Sequence, residues 1–215
     1  MKKLFIPVLL TGLLISACNE KKPETTIKKD STEKMTIKKD TTLQIKKEMK
    51  TKSGKIFTIN ESKPAFTVSD YMISGTGFMN SSDTIKYSQK DPMTTAMLAD
   101  LDKNGFEELY IITKTGDTEY FMNVIGVASP DDQSLKEIKI QEIAAADMEN
   151  TGKFSGYKGM DSVYISGSNI IREFPVYKGG DSMSNPTGGK RKIIYTLKPA
   201  GDSYQLVITG SEDMK

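Results

Sequence analysis

The 215-residue sequence has no histidine, no tryptophan and a single cysteine, Cys18. Without imidazole, no Ser-His-Asp or Cys-His triad can be assembled. A Cys/His zinc site is excluded as well, because it needs several thiolate or imidazole ligands. A lone cysteine cannot close an intramolecular disulfide, so its presence needs another reason. Apolar residues make up only 37% of the chain. That is low for a chain folded throughout and predicts a globular domain carrying a polar appendage.

The position of Cys18 supplies the reason. Lys2 and Lys3 precede an apolar run, Leu4 to Ile15, interrupted only by Pro7, Thr11 and Gly12. A spanning helix needs roughly 20 apolar residues, so this shorter run reads as a secretory signal. Ile15-Ser16-Ala17-Cys18 resembles the bacterial lipobox, in which the signal (residues 1–17 here) is removed and the cysteine receives lipid. The resemblance implies a covalent lipid on Cys18, with the two or more acyl chains that stable anchoring requires. Asn19 is not Asp, which under the enterobacterial sorting pattern points to the outer membrane. An ordinary signal with a chance cysteine is the plain alternative.

Residues 18–53 read as a lipidated, disordered tether. Between residues 19 and 53 there is no aromatic residue, and lysines come in pairs, as in Lys28-Lys29, Lys38-Lys39 and Lys46-Lys47. Thr26-Ile27-Lys28-Lys29-Asp30 recurs as Thr36-Ile37-Lys38-Lys39-Asp40, a period of ten that is too short for a solenoid unit. High charge with little to bury favours disorder, and such a chain would reach about 30–35 Å from its anchor. It can serve as a spacer or as a polybasic strip against anionic headgroups. Nucleic acid is not an expected partner, because stacking aromatics are missing. The near-neutral total of +2 hides an asymmetry. Residues 18–53 carry 11 basic and 6 acidic side chains, whereas residues 54–215 carry 17 basic and 22 acidic. An acidic domain on a cationic spacer suits a basic partner through electrostatic steering.

Residues 54–215 read as one all-β domain, mainly antiparallel, of sandwich or barrel type. Ten short β-branched and aromatic segments are separated by Gly, Ser, Asn and Asp clusters. They are 55–59, 65–73, 77–87, 94–99, 108–113, 120–128, 162–166, 170–177, 191–197 and 204–209. Alternations such as Phe66, Val68, Asp70 or Tyr204, Leu206, Ile208 predict one buried and one wet face. Residues 135–147 fit either a helix or a strand. Pro175 predicts an edge or a bulge.

The clearest chemical motif is Asp100-Leu101-Asp102-Lys103-Asn104-Gly105-Phe106-Glu107-Glu108. Oxygen-bearing side chains at positions 1, 3 and 5 with Gly at 6 match the first half of an EF-hand loop. The second half departs from it, because position 12 is Ile111 and the flanks look like strands. The motif therefore resembles the strand–loop–strand calcium loops of FG-GAP and related repeats. That resemblance makes Asp100, Asp102, Asn104, the Phe106 carbonyl and Glu108 the ligands of a Ca²⁺ ion. One copy does not make a propeller, and the motif also fits an Asx-rich turn holding its own backbone.

Two later segments complete the pattern. Gly156-Tyr157-Lys158-Gly159-Met160-Asp161 leads into Asn169-Ile170-Ile171-Arg172-Glu173-Phe174-Pro175-Val176-Tyr177. Gly180-Asp181-Ser182, Asn185-Pro186-Thr187-Gly188-Gly189 and Ile194-Tyr195-Thr196-Leu197 follow. With the upstream Asp loop, residues 65–209 resemble the periplasmic inhibitors of invertebrate-type (I-type) lysozyme. The resemblance implies a β-sandwich that blocks a lysozyme's substrate groove with polar loops, one of which carries an S-G-x-Y motif. The matching loop here contains Thr115, Asp117, Thr118 and Tyr120 and departs from that motif, since Asp117, Thr118 and Glu119 stand where Ser, Gly and x would be. Acidic groups beside the carboxylates of a lysozyme cleft are costly. Ser155-Gly156-Tyr157 is one residue short of the motif and lies elsewhere.

The expected class is a binding protein, not an enzyme. Glu107 and Glu108 should point to opposite faces of a strand, and no phosphate loop or nucleophile elbow is visible. The leading expectation is a membrane-anchored lipoprotein that binds an extracellular protein, with a lysozyme as candidate. The alternative is a calcium-stabilised structural or glycan-binding domain of the cell envelope.

Overall fold

The computed structural model describes residues 42–214 and, ahead of them, two short strands, β1 (Ile27–Lys28) and β2 (Lys34–Ile37). The signal, Cys18 and half of the expected tether lie outside the described residues. The first sheet continues with β3 (Leu43–Lys50), β4 (Ile56–Ala65), β5 (Val68–Thr76) and β6 (Thr84–Lys90), each antiparallel to the one before.

The second sheet contains β7 (Met93–Ala99), β8 (Glu108–Thr115), β9 (Phe121–Ala128), β10 (Lys136–Ile140), β11 (Ser162–Ser166), β12 (Asn169–Pro175), β13 (Lys190–Ala200) and β14 (Ser203–Met214). Its order is β11-β12-β13-β14-β10-β9-β8-β7, and only the β10–β14 pair is parallel. The sheet curls until β11 approaches β9, giving a nearly closed barrel. The domain is thus all-β and mainly antiparallel, as the sequence predicts. Residues 135–147 divide into β10 and a single helical turn, α1 (Ala145–Met148). Among the described residues no helix is long and apolar enough to cross a membrane.

Two cores explain this arrangement. One fills the barrel with Tyr110, Ile138, Phe154, Phe174, Ile193 and Leu206. The other lies between the sheets, where Phe57, Ile59, Tyr71 and Ile73 meet Leu109, Ile111, Ile125 and Val127. Alternate residues of β8 face each core, so its first six residues are all buried. A strand buried on both faces must be apolar continuously, which is why Leu109-Tyr110-Ile111-Ile112 shows no alternation.

Three sequence expectations shift. Residues 43–50, assigned above to the tether, form β3 and pair along their whole length with β4. Ile45 is buried, Lys46 and Lys50 are exposed on the opposite face, and Lys47 is half-buried on the same face as Ile45. Residues 65–73 keep their alternation but in the opposite phase. Ser69, Tyr71 and Ile73 are buried, whereas Phe66 sits in the two-residue turn between β4 and β5 and is 85% exposed. Buried Ser69 is satisfied by donating to Glu61 Oε1 at 2.7 Å. The segment 77–87 becomes strand only from Thr84, because Phe78 folds back over Gly75 and packs on Phe57, with ring centroids 5.0 Å apart. Pro175 ends β12, beyond the last residue that pairs with β11, so its missing N–H breaks no ladder there.

Candidate functional site

The Asp loop joins β7 to β8, and its geometry follows from its own side chains. Asp100 accepts from the N–H groups of Asn104 (3.0 Å) and Gly105 (2.9 Å), and Asp102 accepts from Asn104 N–H (3.1 Å). Asn104 Oδ1 in turn accepts from Phe106 N–H at 2.8 Å. Lys103 and Gly105 take positive φ, 62° and 92°, and at the second of these glycine removes the steric cost. The turn therefore closes through Asx hydrogen bonds.

The same turn gathers Asp100, Asp102 and Glu108, with one carboxylate oxygen from each lying within 4.8 Å of the others. Oxygens on opposite sides of a Ca²⁺ ion stand about 4.6–5.2 Å apart, so this spacing fits one ion. Glu108 is 2% exposed. Its Oε2 accepts from Leu101 N–H (3.0 Å) and Tyr110 O–H (3.1 Å). Burial pushes its pKa up to about 7, Asp102 and Asp100 add to the rise, and the two hydrogen bonds oppose it. Burial, with the neighbouring Asp100 charge, also raises Asp102. Asn104 stands at the rim with Nδ2 on Asp102 Oδ2 (3.0 Å) and 3.5 Å from the Tyr204 hydroxyl. Phe106 is half-buried beside it. The structure thus brings the three carboxylates expected from the sequence together, while Asn104 Oδ1 and the Phe106 N–H bond each other within the turn. Glu107 faces the other way and binds Lys52, by its N–H at 2.7 Å and its Nζ at 3.3 Å.

Thr115, the last residue of β8, leads into the β8–β9 loop, which carries Asp117, Thr118 and Tyr120. Thr115, Asp117 and Thr118 are exposed. Tyr120 is half-buried, with Lys114 Nζ 4.4 Å from its ring centroid, and its carbonyl accepts from Met160 N–H. The ring thus rests beside Lys114, and the backbone is tied to the segment at Met160. Beside this loop a surface hollow of about 230 Å³ is lined by Phe66, Pro92, Met93, Lys114 and Asp117. Phe66 was not singled out from sequence, where it resembled any core aromatic.

Other motif segments have structural work. Tyr157 of the short Ser-Gly-Tyr sequence is buried, and its hydroxyl donates to Asp161 Oδ2 at 3.0 Å and accepts from Arg172. Asp161 and Arg172 form a buried ion pair. Asp181 closes the 178–189 loop by accepting from Lys178 N–H, Thr187 N–H and the Thr187 hydroxyl, and those bonds hold its carboxyl below the usual range.

No family model, curated protein or solved structure matches the chain. The functional reading therefore rests on the residues.

Proposed function

We propose that this chain is a lipid-anchored protein of the bacterial cell envelope whose β-rich domain binds an extracellular protein through the end that carries Phe66 and the β8–β9 loop. The observation that carries the reading is the 85% exposure of Phe66 beside a hollow with apolar walls. An exposed aromatic beside an apolar hollow offers a partner a large area to bury, well above the cost of fixing its rotamer. Exposed Thr115, Asp117 and Thr118 supply the polar rim. An I-type lysozyme is the candidate partner, from the resemblance of residues 65–209 and the acidic balance of residues 54–215. The acidic loop means that occlusion of a lysozyme groove would rely on Phe66, the threonine hydroxyls and the Tyr120 phenol. Titrating the Cys18→Ser chain into I-type, chicken-type and goose-type lysozymes tests this. Selective inhibition of the I-type enzyme is expected, and neither binding nor inhibition at micromolar concentration would refute it.

A second reading, compatible with the first, is that Ca²⁺ stabilises the β7–β8 turn through Asp100, Asp102 and Glu108. The 4.8 Å convergence around a buried carboxylate favours it. The ion would fix the loop's shape and offset the repulsion of three carboxylates. Calcium should raise the melting temperature, and Asp102→Ala should abolish the rise.

A further inference from the structure

A second concave region shares no lining residue with the Phe66 end. Strands β9 and β10 pair only over Gly126–Ala128 and Lys136–Ile138. Beyond Gly126 they splay, because β10 runs on beside β14. The opening forms a groove of about 880 Å³ walled on its far side by β6, and the Tyr87 hydroxyl leans to within 3.5 Å of the Gly126 carbonyl.

Inside the barrel, Arg172 reaches the floor of this groove together with Tyr195. Arg172 is 6% exposed. One of its terminal nitrogens is taken by Asp161 and Tyr157, and its Nε is buried with no hydrogen-bond partner among the described residues. An orphaned buried donor is uncommon, and it asks for an acceptor. A narrow void of about 10 Å³ lies between Arg172 and the apolar side chains of Val124 and Ile140, which also line the groove. It has room for one water-sized atom, such as a single oxygen, and nothing larger.

The electrostatics narrow the class of ligand. Asp161 already neutralises Arg172, so a carboxylate or phosphate at the floor would be a buried charge without a counter-ion. With Arg172 paired to Asp161, Lys90 and Lys139 along the groove face Asp91, Glu137 and Glu142, and the excess of negative charge further disfavours an anionic ligand. The amides of Gln141 and Gln205 and the ring of Tyr87 complete a lining suited to hydroxyl groups. We propose that this groove binds a neutral oligosaccharide bearing acetamido groups. The acetamido carbonyl serves as acceptor at Arg172, its methyl rests on Val124 and Ile140, and the sugar hydroxyls meet the amides and carboxylates of the wall.

The test is calorimetric titration of the Cys18→Ser chain with tri-N-acetylchitotriose, with the de-N-acetylated trimer and maltotriose alongside. Saturable binding of the acetylated trimer is expected, at least about tenfold tighter than either comparison sugar. Gln205→Ala, at the mouth, and Arg172→Lys, which keeps the cation but removes Nε, should each weaken it by about tenfold. Phe66→Ala should leave it unchanged, so this site and the protein-binding end stand or fall separately. If Arg172→Lys fails to fold, Gln205→Ala and the groove-filling Val124→Phe decide. Absence of saturable binding, equal binding of all three sugars, or binding indifferent to Gln205→Ala and Val124→Phe would overturn the proposal. A single buried water satisfying Nε corresponds to the first of these outcomes.

Discussion

Glu108 makes the calcium-free domain less stable as pH rises from about 4.5 to 7. The folded protein holds this carboxyl near pKa 7, against an ordinary value of 4.5 in the unfolded chain. Between these values the unfolded chain has released the proton and the folded chain still binds it. Folding therefore takes up a proton, and stability falls with rising pH across that window and levels off on either side. The gap of about 2.5 units corresponds to about 3 kcal/mol, at about 1.4 kcal/mol per unit. Asp102, also raised, acts in the same direction. Glu108→Gln keeps an acceptor for Leu101 N–H and Tyr110 O–H and turns its amide toward Asp100 and Asp102. In excess chelator this variant should exceed the parent in stability at pH 8 by up to about 3 kcal/mol and lose most of the slope. Urea midpoints at pH 5, 6, 7 and 8 measure both. Calcium at about one hundred times its Kd should return about 2.7 kcal/mol to the parent at pH 8 and much less to the variant. A parent whose chelated stability rises through the window, or a variant with the parent's slope, would refute the reasoning.

Other expectations follow from packing and pairing. Asp161→Ala strands the Arg172 guanidinium inside the barrel and should cost about 3–5 kcal/mol in urea denaturation. Replacing both partners by apolar residues should recover much of that loss. Leu109→Ala, at the strand shared by the two cores, should cost about 2–5 kcal/mol by the same assay. Deleting residues up to 41 should leave the thermal transition in place. Deleting up to 53 removes β3 and the Lys52–Glu107 contacts and should lower and broaden the transition in circular dichroism.

Much of the fold was legible because turns and β-branched runs are local signals. Ile138 and Ile140 already alternated, and the Asp loop announced its turn through residues that bond their own backbone. The misreadings have physical causes. β3 hides because a strand packed on one face needs few apolar side chains, here Ile45 and half-buried Met49, while its lysines look like a spacer. Phe66 misleads because it sits in the turn itself, where strand alternation no longer assigns a face. The phase read from Phe66, Val68 and Asp70 fails because Ser69, on the other face, is buried against Glu61, which serves as its hydrogen-bond partner. The Asp100, Asp102 and Glu108 cluster was visible because all three lie within nine residues. The Arg172 floor was not, since it depends on β9 and β10 parting and on a barrel that closes over the gap.

The central claim is that the end bearing Phe66 recognises a protein. Its most direct test is the affinity of the Cys18→Ser chain for an I-type lysozyme, measured beside Phe66→Ala. Because Phe66 is exposed, this substitution should change stability by no more than about 0.5 kcal/mol. The account predicts micromolar or tighter binding that weakens at least about thirtyfold in the variant, a loss of about 2 kcal/mol. Equal affinities for the two chains, or no binding by either, would contradict it.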